Sequence, residues 1–147
     1  MKKILITIAS AVFVAVFSLI IVIPIMNDNI AKKIANDILS VPLPENTTYI
    51  ESKSIAGKLA GNGNGMQYLG AILIQSELAL DTLQAYYSNY ADNEWTYIVE
   101  PQLDNKIKVI EHGYLNFDSD INCSGYFIVY SWGGTDSMIA DLDIRGH

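Results

Sequence analysis

One cysteine, Cys123, occurs in 147 residues, so neither an intrachain disulfide framework nor a zinc site built on cysteine pairs can form. No cysteine stands directly after the N-terminal apolar run, which removes the usual lipid attachment of a lipoprotein. Histidine is nearly as scarce: His147 is terminal, and any catalytic triad would have to be built around His112. Basic residues are few, with 9 Lys and Arg against 16 Asp and Glu for a net charge of -7. Lys2 and Lys3 precede the apolar run, so everything beyond it carries -9. Such a surface repels phosphate backbones, and no nucleic-acid partner is expected. No internal repeat or low-complexity tract is present.

What the sequence does have is unevenly placed. Residues 1–26 hold 20 of the 74 hydrophobic residues, and the other 121 positions are about 45% hydrophobic, a normal globular share that argues against disorder. From Ile4 to Met26 there is no charge at all. A helix of that length reaches roughly 34 Å, against a hydrocarbon core of about 30 Å. Fifteen of its residues are Ile, Leu, Val or Phe, which favours insertion by several kcal/mol in all. A cleaved secretory signal has an apolar core of about 7 to 15 residues and small residues at its cleavage site. Here the exit reads Ile23-Pro24-Ile25-Met26-Asn27, too bulky for such a site, so an uncleaved signal anchor spanning the lipid bilayer is expected over 4–26. Lys2 and Lys3 favour a cytoplasmic N-terminus (1–3) and an extracytoplasmic domain. Lys32 and Lys33, partly offset by Asp28 and Asp37, weaken that asymmetry.

Residues 27–41 read as a juxtamembrane helix and linker, with Ile30, Ile34, Ile38 and Leu39 on one face. That face can lie among lipid headgroups, pack on the domain, or simply continue the transmembrane helix into water. Val41-Pro42-Leu43-Pro44 ends the helix, since proline lacks an amide donor and biases its predecessor toward extended backbone. A domain over 42–147 follows. Thr47–Leu59 and Gln67–Gln75 predict a hairpin joined by a glycine-rich loop, the second strand apolar enough to be central. Leu80, Leu83, Tyr87 and Tyr90 make one helical stripe ending around Ala91 to Asn93, with Asp81 and Gln84 as a capping pair. Trp95–Val99, Lys106–Ile110, Tyr114–Phe117, Tyr126–Trp132 and Met138–Ile144 are further strand candidates. Connections this short exclude parallel crossovers, so the expected fold is α+β: the transmembrane helix, then a small antiparallel sheet with one packed helix, in the order β-β-α-β-β-β.

The stretch Gly57-Lys58-Leu59-Ala60-Gly61-Asn62-Gly63-Asn64-Gly65-Met66-Gln67-Tyr68 resembles a group of uncharacterised bacterial proteins, mostly Gram-positive, that have an N-terminal span and a small outer domain. The likeness runs from Val41-Pro42-Leu43-Pro44 through the Leu80 to Tyr87 helix and fades after Trp95. More loosely, the proline-bearing start, hairpin and tyrosine-ended helix are similar to small extracytoplasmic lipoprotein domains. The resemblance implies an envelope location and a shared α+β domain, with the span in place of a lipid-bearing cysteine. It implies no activity.

Gly61, Asn62, Gly63, Asn64 and Gly65 can form a concave backbone nest for an anion, because glycine reaches positive φ freely and asparagine tolerates it. An irregular hairpin loop that binds nothing is the simpler reading and is preferred. No Gly-Lys-Ser/Thr closes a P-loop, and the alternating glycines precede a strand, unlike a dinucleotide fingerprint, so no cofactor is expected. Asp118-Ser119-Asp120-Ile121-Asn122 imitates the opening of a calcium loop, but Cys123 and Val129 stand where glycine and glutamate are needed, and a polar turn with no metal is expected. Asp141 and Asp143, alternating with Leu142 and Ile144, would share one strand face about 7 Å apart, near Asp136, as a weak cation site or a solvated face. No serine sits in a nucleophile elbow, and no catalytic residue is assigned. Tyr86, Tyr126 and Trp132 are the aromatics suited to line a groove for sugar or peptide.

These features favour a membrane-anchored extracytoplasmic binding or interaction domain without enzymatic activity. Its partners would be the bilayer through Ile4 to Met26 and another membrane or envelope protein, as in an accessory subunit of an envelope complex. The alternatives are a ligand or ion sensor using the Gly61 to Gly65 loop or the acidic turns, and an envelope hydrolase using His112.

Overall fold

The apolar run and the segment after it form one helix. The computed structural model describes residues 2–91, 95–135 and 137–147, and its first element, α1, runs from Lys2 to Ser40. Met1, Asp92 and Asn93 fall outside the described residues, and the short helix expected to run to Ala91–Asn93 ends earlier, at Ser88. At 39 residues α1 is about 58 Å long. Pro24 lies inside it, where its ring removes one helical amide donor without ending the element. The end comes at Ser40, whose hydroxyl bonds the Asp37 carbonyl, with Val41 N donating to Ile38 O, just before Pro42 and Pro44.

The two halves of α1 meet different surroundings. Among the described side chains from Ile4 to Met26 the large apolar ones are exposed, apart from Ile23 at 4%. From there a stripe of Asn27, Ala31, Ile34, Ala35, Ile38 and Val41 is buried at helical spacing. Of the three surroundings open to this segment, the structure has it packed on the domain. Ile34 and Ile38 face inward as expected, whereas Leu39 is 41% exposed and Ala31 and Ala35 occupy the inner face instead. Helix and sheet therefore share one core across the boundary placed at residue 41.

The sheet contains β1 (Thr47–Gly57), β2 (Gln67–Ser76), β3 (Ile98–Pro101) and β4 (Tyr126–Gly134). Its order is β1-β2-β4-β3 with every pair antiparallel. β2 is central and covered on both faces, as its apolar run predicts. One face carries Tyr68, Ile72, Ile74, Val99, Phe127 and Val129 against α1 and the short helix α2 (Leu80–Ser88), which contributes Leu83 and Tyr87. On the other face Leu69, Ala71, Leu73, Ile128 and Tyr130 lie beneath Ile107, Ile110 and Phe117. The fold is α+β, an antiparallel sheet with a packed helix.

Several elements differ from the sequence pattern. Lys106–Ile110 and Tyr114–Phe117 are no strands but meet in a single bridge, Lys106 with Asn116. The buried Gln102 amide donates to the carbonyls of Asp104 and Lys106, and the Asp104 carboxylate accepts from Lys106 N, so side chains satisfy backbone groups that a ladder would have used. Met138–Ile144 is not the strand its alternation predicts; Ala140–Leu142 and Ile144–Gly146 are 3₁₀ turns. Ser137 Oγ accepts from Ala140 N and Asp143 Oδ1 from Arg145 N, local bonds that compete with extended backbone. Trp95 to Tyr97 stay outside β3. Asp81 and Gln84 do not cap α2, whose N-cap is Ala79; the Gln84 amide donates to Val99 O instead.

The closest approach between layers is at Gly70 in β2. A Cβ there would lie inside contact distance of the Ala35 amide nitrogen and 2.8 Å from the Ile34 carbonyl carbon. Those are backbone atoms that no rotamer change can move aside. Gly70→Ala is expected to destabilise the protein by about 3 kcal/mol, at the upper end of overpacking costs. Gly63→Ala, with open space around it, should cost less than about 0.5 kcal/mol. Urea unfolding of the detergent-solubilised protein checks both.

Candidate functional site

The glycine-asparagine loop is held at both ends by acceptors of the protein itself. Gly61 takes φ of +74° and Gly65 of +131°, a region that favours glycine. Gly61 N donates to Glu111 Oε2 at 2.7 Å, Gly65 N to Gly146 O at 2.8 Å and Met66 N to Asp141 Oδ1 at 3.1 Å. Gln67 closes the base, its Oε1 accepting from the Leu59 and Ala60 amides. The Glu111 carboxylate and the Gly146 carbonyl thus take up the Gly61 and Gly65 amides of the loop, and the Asp141 carboxylate takes the next one, of Met66. Asn62, Gly63 and Asn64 are exposed at the tip.

The three candidate aromatics do not converge. Tyr86 lies on the helix-covered side, its hydroxyl donating to Pro42 O at 2.8 Å and its ring edge-on to Tyr87 at 5.4 Å. Tyr126 and Trp132 share the opposite face of β4, but six residues of strand put them about 20 Å apart. His112 Nε2 lies 2.7 Å from Gly61 O and must donate to it, because a carbonyl only accepts. The Asp118 carboxylate pairs with Lys53 at 2.6 Å, and the Asp118 and Ser119 amides donate to Glu51. Cys123 is a free, exposed thiol. Among the described residues no three His, Cys, Asp or Glu side chains stand close enough to hold a metal ion; Asp136 falls outside them.

Asp141 and Asp143 do not share a strand face. Asp143 is 2% exposed and forms the centre of a polar network at the midpoint of α1. Arg145 grips it with Nε at 3.0 Å from Oδ1 and Nη2 at 2.7 Å from Oδ2. The other guanidinium donors reach α1: Nη1 meets Asp28 Oδ1 at 2.8 Å, and Nη2 meets Pro24 O at 3.1 Å. Asn27, buried on the inner stripe, donates from Nδ2 to Asp143 Oδ2 at 2.9 Å and to Ala140 O at 3.2 Å. Its Oδ1 accepts from Tyr68 at 2.8 Å. Carboxylate and carbonyl can only accept, which settles how the amide is turned. Burial raises the Tyr68 pKa and keeps its phenol protonated as a donor. Just beyond this network lies an apolar groove of about 470 Å³, walled by Leu19, Ile20 and Ile23 on one side and Leu142 and Ile144 on the other.

Sequence patterning missed this junction. Stepping the buried stripe back from Ile38 through Ile34 and Ala31 lands on Asn27, the one signal that could have located it. Comparison with known proteins finds no family model, no curated protein and no solved structure that matches the chain.

The Arg145 guanidinium is the main reason that Asp143 titrates at about 2 instead of its ordinary 3.8, aided by hydrogen bonds from Asn27 and the Arg145 amide. A depressed carboxyl pKa stabilises the fold fully above the unfolded value, and the gain is lost as pH falls through the folded value. Stability should therefore decline between about pH 4 and pH 2 through this group. Arg145→Met, which leaves the buried carboxylate with only the Asn27 amide and the residue-145 backbone N–H as donors, should cost about 3 kcal/mol at neutral pH, the lower end for breaking a buried pair because the guanidinium is partly exposed. Urea midpoints across a pH series, wild type against variant, measure both effects.

Proposed function

We propose that the protein is a single-pass membrane protein that holds a non-enzymatic interaction domain at the outer surface of a bilayer. One observation carries the reading: within the unbroken helix α1 the surroundings change from a run of exposed apolar side chains to a buried stripe, between Ile23 and Asn27. By length and composition this helix is able to cross a membrane. Ile4 to Ile23 alone span about 30 Å, the thickness of the hydrocarbon core. Asn27, Asp28, Asp143 and Arg145 begin where that thickness ends. In water the exposed half would present a long apolar surface with no partner, which soluble monomers avoid.

Lys2 and Lys3 adjoin the start of the span and favour a cytoplasmic N-terminus. Lys32 and Lys33 belong to the folded unit, and folded domains translocate largely regardless of charge. The domain then lies outside, where it serves as a docking or accessory module for another membrane or envelope protein. An interaction role suits polar groups that bind one another: Arg145 to Asp28 and Asp143, Lys53 to Glu51 and Asp118.

Three measurements test this reading. Alkaline carbonate should leave the intact chain in the membrane pellet, and protease added to whole cells should remove the domain. Cross-linking in intact cells should capture a discrete membrane or envelope partner. A mature N-terminus beyond Met26 refutes the anchor, protection of the domain reverses the orientation, and substrate turnover abolished by His112→Ala replaces interaction with hydrolysis.

A further inference from the structure

We propose that the C-terminal 3₁₀ segment, Met138 to Ile144, is a second membrane contact that rests its apolar side chains in the interfacial layer of the bilayer beside the emerging helix. The inference depends on the spanning reading of α1 and adds a second lipid-facing element to it. Met138 is 89% and Ile144 84% exposed, and Ile139 and Leu142 are also exposed. Four large apolar side chains in one short segment are unusual on a surface facing water.

Their position identifies the occupant. Leu142 and Ile144 form one wall of the groove whose other wall is Leu19, Ile20 and Ile23, so the exposed surface of the segment continues the apolar surface of the helix. That level is where a 30 Å hydrocarbon layer counted from Ile4 ends, at about Ile23. Segment polarity runs the same way. Asp141 turns inward to Met66 N, and Asp143 to Asn27 and Arg145, leaving the apolar residues outward. The backbone is also prepared for a dry setting: the amides of Asp141, Leu142, Asp143 and Gly146 donate to the carbonyls of Ser137, Ile139, Ala140 and Asp143. A domain of net negative charge gains nothing from anionic headgroups, so insertion is hydrophobic and occurs on zwitterionic lipid.

The test uses the full chain with Cys123→Ser, reconstituted in phosphatidylcholine vesicles and carrying one nitroxide at a time through Leu142→Cys, Ile144→Cys, Phe13→Cys or Asn62→Cys. Collision with oxygen relative to a water-soluble nickel chelate reports depth. Positions 142 and 144 should give a ratio several-fold above position 62 and approach that of position 13. Water-like values at both 142 and 144, with position 13 in the bilayer, overturn the inference and leave the span intact. A water-like value at position 13 overturns the spanning reading itself. Spin–spin broadening at 144 that disappears on dilution with lipid assigns the patch to a second copy of the chain and also overturns the inference.

Discussion

The absence of a side chain at Gly70 is the constraint on which the rest of the fold depends. It lets the backbone of α1 at Ile34 and Ala35 lie directly on the central strand, with Ala31 and Ala35 as the small residues facing it. A helix seated that closely buries Ile34, Ile38 and Val41 against Tyr68, Ile72 and Ile74. Raised by a single methyl group, it would lose dispersion contacts along the whole stripe, because these attractions fall steeply with a gap of even 0.5 to 1 Å.

Packing fixes the helix against the sheet, and the polar network fixes it along its own axis. Asn27 and Asp28 are held from the domain side by Tyr68, Asp143 and Arg145. Sliding α1 by one residue would carry Asn27 off the inner stripe and leave a buried carboxylate short of a donor, a costly state in a low-dielectric interior. Apolar contacts favour many nearby positions; directional hydrogen bonds select one.

The main elements were legible because they follow simple periodicities. The apolar run, the hairpin around Gly61 to Gly65, the central strand through Leu73, the Leu83 and Tyr87 helix and β4 all carry either a helical repeat or a continuous β-rich stretch. Misreadings came where side chains compete with the ladder for backbone groups. Gln102 and Asp104 turn Lys106–Ile110 into a coil that covers the sheet, and Ser137 and Asp143 wind Met138–Ile144 into 3₁₀ turns, although alternating apolar residues mark both as strands. The junction was illegible for a related reason. Its members, Asn27, Tyr68, Asp143 and Arg145, lie on three separate elements, and nothing local distinguishes Asp143 from a solvated carboxylate. Among the aromatic candidates, composition pointed to groove-forming side chains, but only the tertiary packing puts Tyr86, on α2, and Trp132, on β4, on opposite sides of the sheet.

The continuity of α1 has a mechanical consequence. A domain joined to an anchor by a flexible tether reorients freely, whereas here the exposed apolar half and the core-forming half are one continuous helix. Hydrophobic mismatch is relieved in part by changes of helix tilt. In a spanning rod of this kind, a thicker or thinner bilayer would rotate the sheet by the same angle, so local membrane thickness would determine which face of the domain is presented to its neighbours.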